Sequence, residues 1–188
     1  RGPIVKSLTS SDMLIKLGRQ YGVPVFETKV GFKYIGPRMI KENALIAGEE
    51  SGGYGYRGHI PERDGILSSL LFLEFIMRKG LRPSELLQYL YSKVGEHYFQ
   101  RRDIPVTSEV RSGLQQVLDT AGNVKVIGGM NVISTDVTDG LRFRFEEGWL
   151  AIRFSGTEPL VRIYGESDTP TRVESLLDGA ALMLGLVS

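Results

Sequence analysis

The stretch GEESGGYGYRG, residues 48–58, sets five glycines among two adjacent carboxylates, a serine and two tyrosines, directly behind the apolar run 44–47. A short apolar run that passes into glycine and polar residues reads as a buried strand delivering a backbone-flexible loop. Glycine lets the main chain take positive φ and come close to a ligand. Carboxylates and hydroxyls grip sugar hydroxyls through directional hydrogen bonds. The stretch is expected to be a polyol-binding loop at the carboxyl end of a strand, where ligands of open α/β sheets sit.

The residues before it supply the rest of such a sheet. Ile4 and Val5, followed by Lys6 and a serine/threonine cluster, predict a short buried strand ending in a polar loop. Ser10 or Ser11 is placed to cap a helix to about Tyr21, with Leu14, Leu17 and Tyr21 on one face and Gly22 as the stop. Residues 23–26 read as a second strand, and strand, helix, strand implies a right-handed parallel crossover. Residues 31–40 read as a helical segment interrupted at Gly36-Pro37. Lys6 and Lys29 then fall in loops after the first two strands, on the same sheet edge as Gly48.

Beyond the loop, Asp64 is expected to cap a strongly apolar helix to Lys79, with Gly80 behind it. Pro83-Ser84 opens another helix with the stripe Leu86, Leu87, Leu90, Tyr91 and Val94. Helices on both faces close a first domain over residues 1–95.

From residue 96 the pattern changes to a strand near 98–106, an amphipathic helix over 108–121 with Val110, Leu114, Val117 and Leu118 inward, and then several strands. Leu141, Phe143 and Phe145 alternate with Arg142 and Arg144, a half-buried strand whose arginines are expected to face solvent. Trp149 to Phe154 returns as its partner, Leu160 to Gly165 follows, and Thr169-Pro170 opens a terminal helix with Val173, Leu176, Leu177, Ala180 and Leu182 inward. The expected fold is a parallel-type three-layer α/β domain followed by a smaller α+β domain, residues 96–188, with an antiparallel sheet and helices on one face.

A second polar loop lies in that domain. RFSGTEP, residues 153–159, follows a strand with a guanidinium, a serine, a glycine and a threonine within five residues. Arginine suits bidentate phosphate contacts, and hydroxyls with glycine-freed N–H groups complete an anion nest. His59, beside the sugar loop in GHIPERDG, is a candidate for substrate contact or proton transfer. His97 reads as structural.

Composition narrows the partners. The chain has 188 residues, a net charge of +1 and no cysteine. Balanced charge argues against nucleic-acid and membrane-surface binding, and the absence of cysteine removes disulfides and thiolate metal sites. No apolar run approaches the length of a bilayer span.

The two loops together resemble the phosphohexomutases, the phosphoglucomutase and phosphomannomutase family. GEESGG resembles that family's domain-3 sugar-specificity loop, and RFSGTEPLVRIYGE its domain-4 phosphate loop. The resemblance implies that the chain is the C-terminal portion of a four-domain enzyme. It implies further that Glu49 and Ser51 bind the sugar's O3 and O4 hydroxyls, with Gly48 and Glu50 in the same motif, and that Arg153, Ser155, Gly156 and Thr157 hold phosphate. A lysine near each of Lys6 and Lys29 approaches substrate or phosphoserine in such enzymes. Phe32, where several phosphomannomutases have histidine, favours glucose phosphates.

Members of this family interconvert hexose 1-phosphate and hexose 6-phosphate through a bisphosphorylated sugar, using a phosphoserine and Mg2+. Neither the T-x-S-H-N-P serine loop nor the D-G-D-x-D-R metal loop occurs in these residues. No catalytic or metal residue is therefore expected in this chain, which is expected to be inactive alone, with hexose phosphates and the enzyme's N-terminal domains as partners and a cytoplasmic location. The rival readings are a noncatalytic sugar-phosphate binding module and a nucleic-acid binder using Phe143 and Phe145 as a platform.

Overall fold

A computed structural model describes residues 1–186. The chain forms two compact units, Arg1–Glu96 and the residues from His97 onward.

The first unit holds β1 (Ile4–Ser7), α1 (Met13–Tyr21), β2 (Val25–Thr28), α2 (Phe32–Lys41), β3 (Ile46–Gly48) and β4 (Tyr54–Tyr56). The sheet order is β2-β1-β3-β4, with β1 parallel to both of its neighbours. The chain steps from β1 to one side and then back past it to the other. Right-handed crossovers running in opposite directions put their helices on opposite faces. Val5 and Ala47 accordingly pack with Phe32, Ile35, Met39 and Ala44 beneath α2, with Phe26 alongside. α1 lies against Val25, the neighbour of Phe26 that points the other way: a Cβ on Gly18 would come 2.3 Å from Val25 Cγ2.

Three expectations are corrected here. The stretch after β3 is not all loop, because Tyr54–Tyr56 returns as β4, antiparallel to β3. The glycine-rich segment is therefore a hairpin, and the sheet is mixed. α2 is not interrupted at Gly36-Pro37 but runs through both. Proline forfeits one intrahelical bond there, and Gly36 packs so tightly that an added Cβ would lie 2.7 Å from the Pro61 carbonyl oxygen. The strongly apolar α3 (Gly65–Lys79) is capped as expected, Asp64 Oδ1 accepting from Leu67 N–H at 2.8 Å, yet none of its residues is buried among the described residues. α4 (Pro83–Val94) buries Leu86 and Val94, and Lys16 Nζ on α1 donates to the Val94 carbonyl at 3.1 Å.

The second unit holds β5 (Tyr98–Pro105), α5 (Ser108–Thr120), the ribbon β6 (Val126–Ile127) and β7 (Met130–Asn131), then β8 (Ser134–Asp136), β9 (Leu141–Phe145), β10 (Gly148–Phe154), β11 (Leu160–Ser167) and α6 (Pro170–Met183). Five strands form an antiparallel sheet in the order β5-β11-β10-β9-β8. Strand alternation sends Leu141, Phe143, Phe145, Leu150, Ile152, Val161 and Ile163 to one face, where Leu114 and Leu118 of α5 and Val173, Leu176, Leu177 and Ala180 of α6 cover them. Phe143 and Phe145 are thus core residues rather than an exposed aromatic platform. Val110 and Leu182, expected inward, are exposed near the ends of their helices. Periodicity marks a stripe but not where its partner surface ends.

Arg142 corrects the solvated-face expectation. It is 6% exposed, and its Nη2 donates to Asp136 Oδ2 on β8 at 2.7 Å. Burial works to raise the Asp136 carboxyl, but hydrogen bonds from Thr138 and Arg142 outweigh it and hold the group below the usual aspartate range. A carboxyl depressed by folding contributes stability above its unfolded pKa, about 3.9, and that contribution is lost as pH falls through the lower folded value. Hydrogen exchange at residues 134–136 is therefore expected to accelerate below about pH 4 in the wild type, beyond the intrinsic pH trend, and to lose that extra acid sensitivity in Asp136→Asn. Identical pH profiles for the two proteins would refute the assignment.

Candidate functional site

The carboxyl edge of the parallel strands gathers hydroxyls and charges. Lys6 lies within β1 rather than in a loop after it, and its side chain is fully buried. Its Nζ donates to the carbonyls of Ser10 at 2.7 Å and Ser11 at 3.4 Å, and pairs with Asp12 at 3.1 Å and Glu27 at 3.2 Å. β1 is one residue pair longer than the apolar run suggests, which carries the lysine inside. Next along the strand, Ser7 Oγ donates to Glu50 Oε2 at 3.1 Å and Thr9 Oγ1 donates to the same oxygen at 2.8 Å. Glu50 therefore ties the hairpin turn to the loop after β1.

Glu49 is rooted at the base of that turn and is 5% exposed. Its Oε1 accepts from Gly31 N–H at 2.7 Å, and its Oε2 lies 3.9 Å from Arg63 Nη1. Main-chain bonds Glu49 N–H to Gly53 O at 3.0 Å and Gly52 N–H to Glu49 O at 3.1 Å close the turn, leaving Ser51 exposed at its tip. Lys29 is exposed just beyond β2, at the same edge of the sheet. His59 Nε2 is 2.8 Å from Asp64 Oδ2. The Asp64 carboxyl is held below its usual range by Leu67 N–H first and by His59 second. His59 thus braces the α3 cap.

Arg63 was not legible as part of this edge. Its guanidinium lies 5.6 Å from the Phe32 ring centroid, and its stem fills the space over Gly53, where a Cβ would come 2.4 Å from Arg63 Cδ. In the sequence it is one arginine in a polar loop, and only the hairpin brings it to Glu49. Phe32 is buried in the α2 cluster.

In the second unit, residues 155–159 join β10 to β11. Ser155 is buried, and its Oγ accepts from the N–H groups of Thr157 at 3.4 Å and Glu158 at 3.3 Å, while Gly156 and Thr157 are exposed. Arg153, at the end of β10, pairs through Nε with Asp139 at 3.3 Å and lines a cavity of about 560 Å³. Arg162 on β11 donates to Glu158 Oε2 at 2.5 Å and lies 3.7 Å from Asp103. Arg111 on α5 stacks at 4.6 Å from the Phe154 ring centroid, and its Nη1 is 3.4 Å from the Ser155 carbonyl oxygen. The N–H groups of Thr157 and Glu158 thus turn toward one hydroxyl, with arginines on the adjoining strands and helix, a donor-rich arrangement of the kind anions favour. Arg111 carried no signal beyond that of an ordinary helix arginine, and Arg162, although inside the RFSGTEPLVRIYGE stretch, reads as structural or peripheral.

Residues 1–94 match phosphoglucomutase/phosphomannomutase alpha/beta/alpha domain III, and residues 106–182 match the C-terminal domain of the same enzymes. The chain belongs to the phosphoglucomutase/phosphomannomutase family. A phosphoglucomutase/phosphomannomutase of Thermococcus kodakarensis is 27% identical over 94% of this chain, which spans 36% of that relative. A phosphomannomutase of Mycoplasma genitalium is 29% identical over 90% of the chain and 34% of the relative. The crystal structure assigned as a phosphomannomutase from Thermus thermophilus superposes with a TM-score of 0.80 at 34% identity, covering 98% of this chain and 37% of that one. The chain thus spans little more than a third of these family members and corresponds to their C-terminal portion.

No three His, Cys, Asp or Glu side chains gather as a metal site among the described residues. No helix among them is long and apolar enough to cross a membrane.

Proposed function

We propose that this chain supplies sugar and phosphate recognition to a phosphohexomutase that interconverts hexose 1-phosphate and hexose 6-phosphate, of glucose, mannose or both, through a bisphosphorylated intermediate. The observation that carries the reading is Glu49. One oxygen of this nearly buried carboxylate is committed to Gly31 N–H, and the other accepts no hydrogen bond among the described residues and faces Arg63 at 3.9 Å. An acceptor left open on a side chain whose other oxygen is committed can take a donor, and a sugar hydroxyl is one that Glu49, with Ser51 beside it, would receive. Lys29, exposed just beyond β2, would approach the same ligand. The phosphate falls to Arg153, Ser155, Gly156 and Thr157, where main-chain donors converge. The magnesium ion and phosphoserine of the reaction belong to other parts of such an enzyme, and this chain alone is proposed to bind without turnover in the cytoplasm.

Separate titrations read the two loops independently. Glucose is expected to shift the amides of 48–53, and inorganic phosphate those of 155–158. Glu49→Ala is expected to abolish the glucose response at concentrations that shift the wild type, and to cost about 1–3 kcal/mol by leaving Gly31 N–H without its acceptor. An undiminished glucose response in that variant would show that the sugar is not held at Glu49. Turnover of a hexose phosphate by the chain alone would overturn the proposed division of labour.

A further inference from the structure

We infer that Arg111, outside the loop that the sequence singles out, adds an uncommitted cation to Arg153 for a phosphate bound at residues 155–158. This inference rests on the proposed phosphate-binding role of that loop.

Three guanidiniums approach the loop, and their charge balance separates them. Arg153 is paired with Asp139, and Arg162 with Glu158 and Asp103. Arg111 has no carboxylate partner among the described residues. Its contacts are the Phe154 ring, 4.6 Å from the guanidinium carbon, and the Ser155 carbonyl, 3.4 Å from Nη1. An arginine carries five N–H donors in a fixed plane, so the contact with Ser155 leaves most of them uncommitted. A stack on an aromatic ring fixes the plane without satisfying the charge.

The backbone places this cation and the loop as one piece. Val106 N–H, immediately before the Thr107 cap of α5, donates to the Pro159 carbonyl at 2.9 Å, which fixes the far end of the loop to the start of the helix. Arg111, one turn into α5, reaches the near end at Ser155. The N–H groups of Thr157 and Glu158 lie between these two ties, at 3.4 and 3.3 Å from Ser155 Oγ, long enough to be shared with a stronger acceptor. A phosphate accepting from them would sit beside a guanidinium that no carboxylate has already neutralised. Arg153 and Arg162 would have to leave their carboxylates to give the same charge.

Inorganic phosphate titrated into the full chain at low ionic strength, followed at the amides of Gly156 and Thr157, tests this. Arg111→Ala is expected to weaken binding about tenfold or more, as for loss of a charge-assisted bond. Arg111→Lys, which keeps the charge, should recover part of that loss. Arg111→Met, which keeps apolar contact with Phe154, should recover none. A purely structural role would give the reverse order, with the methionine variant close to wild type, and that order overturns the assignment. If all three variants bind phosphate within twofold of wild type, Arg111 does not contribute to the site while the phosphate loop stands. If wild-type Gly156 and Thr157 do not respond to phosphate at all, the loop reading fails and takes this inference with it.

Discussion

Lys6→Met is expected to destabilise the first unit by roughly 3–5 kcal/mol, the range for breaking a buried ion pair by removing one partner. The side chain is fully buried, with two carbonyls and two carboxylates arranged around its Nζ at 2.7 to 3.4 Å. Methionine fills much the same volume, so the loss isolates the ammonium from the packing of its stem. Removing it leaves the Ser10 and Ser11 carbonyls short of a donor and brings Asp12 and Glu27 together without their cation. Ser7, the next residue, holds Glu50, so disorder at Lys6 should also loosen the hairpin turn. Hydrogen exchange of the Val5 and Phe26 amides measures the cost. A change below about 1 kcal/mol, the scale of a solvent-exposed pair, would mean that water screens this charge.

Gly148→Ala is expected to cost the second unit about 3 kcal/mol or more, from positive-φ strain together with overpacking. Gly148 opens β10 at φ 146°, and a Cβ there would come 2.0 Å from the Glu166 carbonyl oxygen and 3.0 Å from Ser167 Cα. Both obstacles are backbone of the paired strand β11, so no side-chain rotation relieves them. The only tryptophan, Trp149, is the next residue, fully buried, with its indole N–H donating to Glu166 Oε1 at 3.2 Å. Its fluorescence should therefore shift to the red and its thermal midpoint fall. Gly113→Ala provides the contrast. It sits within α5 with open space around it, and alanine there should leave the midpoint unchanged or raise it. Equal behaviour of the two variants would argue against the close approach of β10 and β11.

Much of the architecture was legible because local signals agreed with one another. Gly22 and Gly80 end α1 and α3 in the left-handed conformation, Asp64 and Thr169 cap their helices through side-chain oxygens, and Leu141, Phe143 and Phe145 alternate inward. Each of these depends on a few consecutive residues and their backbone preferences. The misses share a different cause. Whether Lys6 is solvated or buried depends on β2 supplying Glu27. Whether Arg142 faces water depends on β8 supplying Asp136. Whether Val110 and Leu182 are inside depends on where the sheet stops beneath their helices.

The same division runs through the candidate site. The sequence by itself determined that two polar, glycine-bearing loops follow strands in two different domains, and it determined their chemistry, because residue type and spacing specify which donors and acceptors a loop can offer. Only the tertiary structure decided which of those groups are already committed. Glu50 is taken by Ser7 and Thr9, Ser155 by its own loop, Arg153 by Asp139, and Lys6 by four oxygens, whereas one oxygen of Glu49 accepts no hydrogen bond and has only the exposed Arg63 at 3.9 Å, and the charge of Arg111 has no carboxylate partner among the described residues. Hydrogen bonds and ion pairs act over a few ångströms between residues far apart in the chain. Their allocation is fixed by how the strands register, and no spacing along the sequence records it.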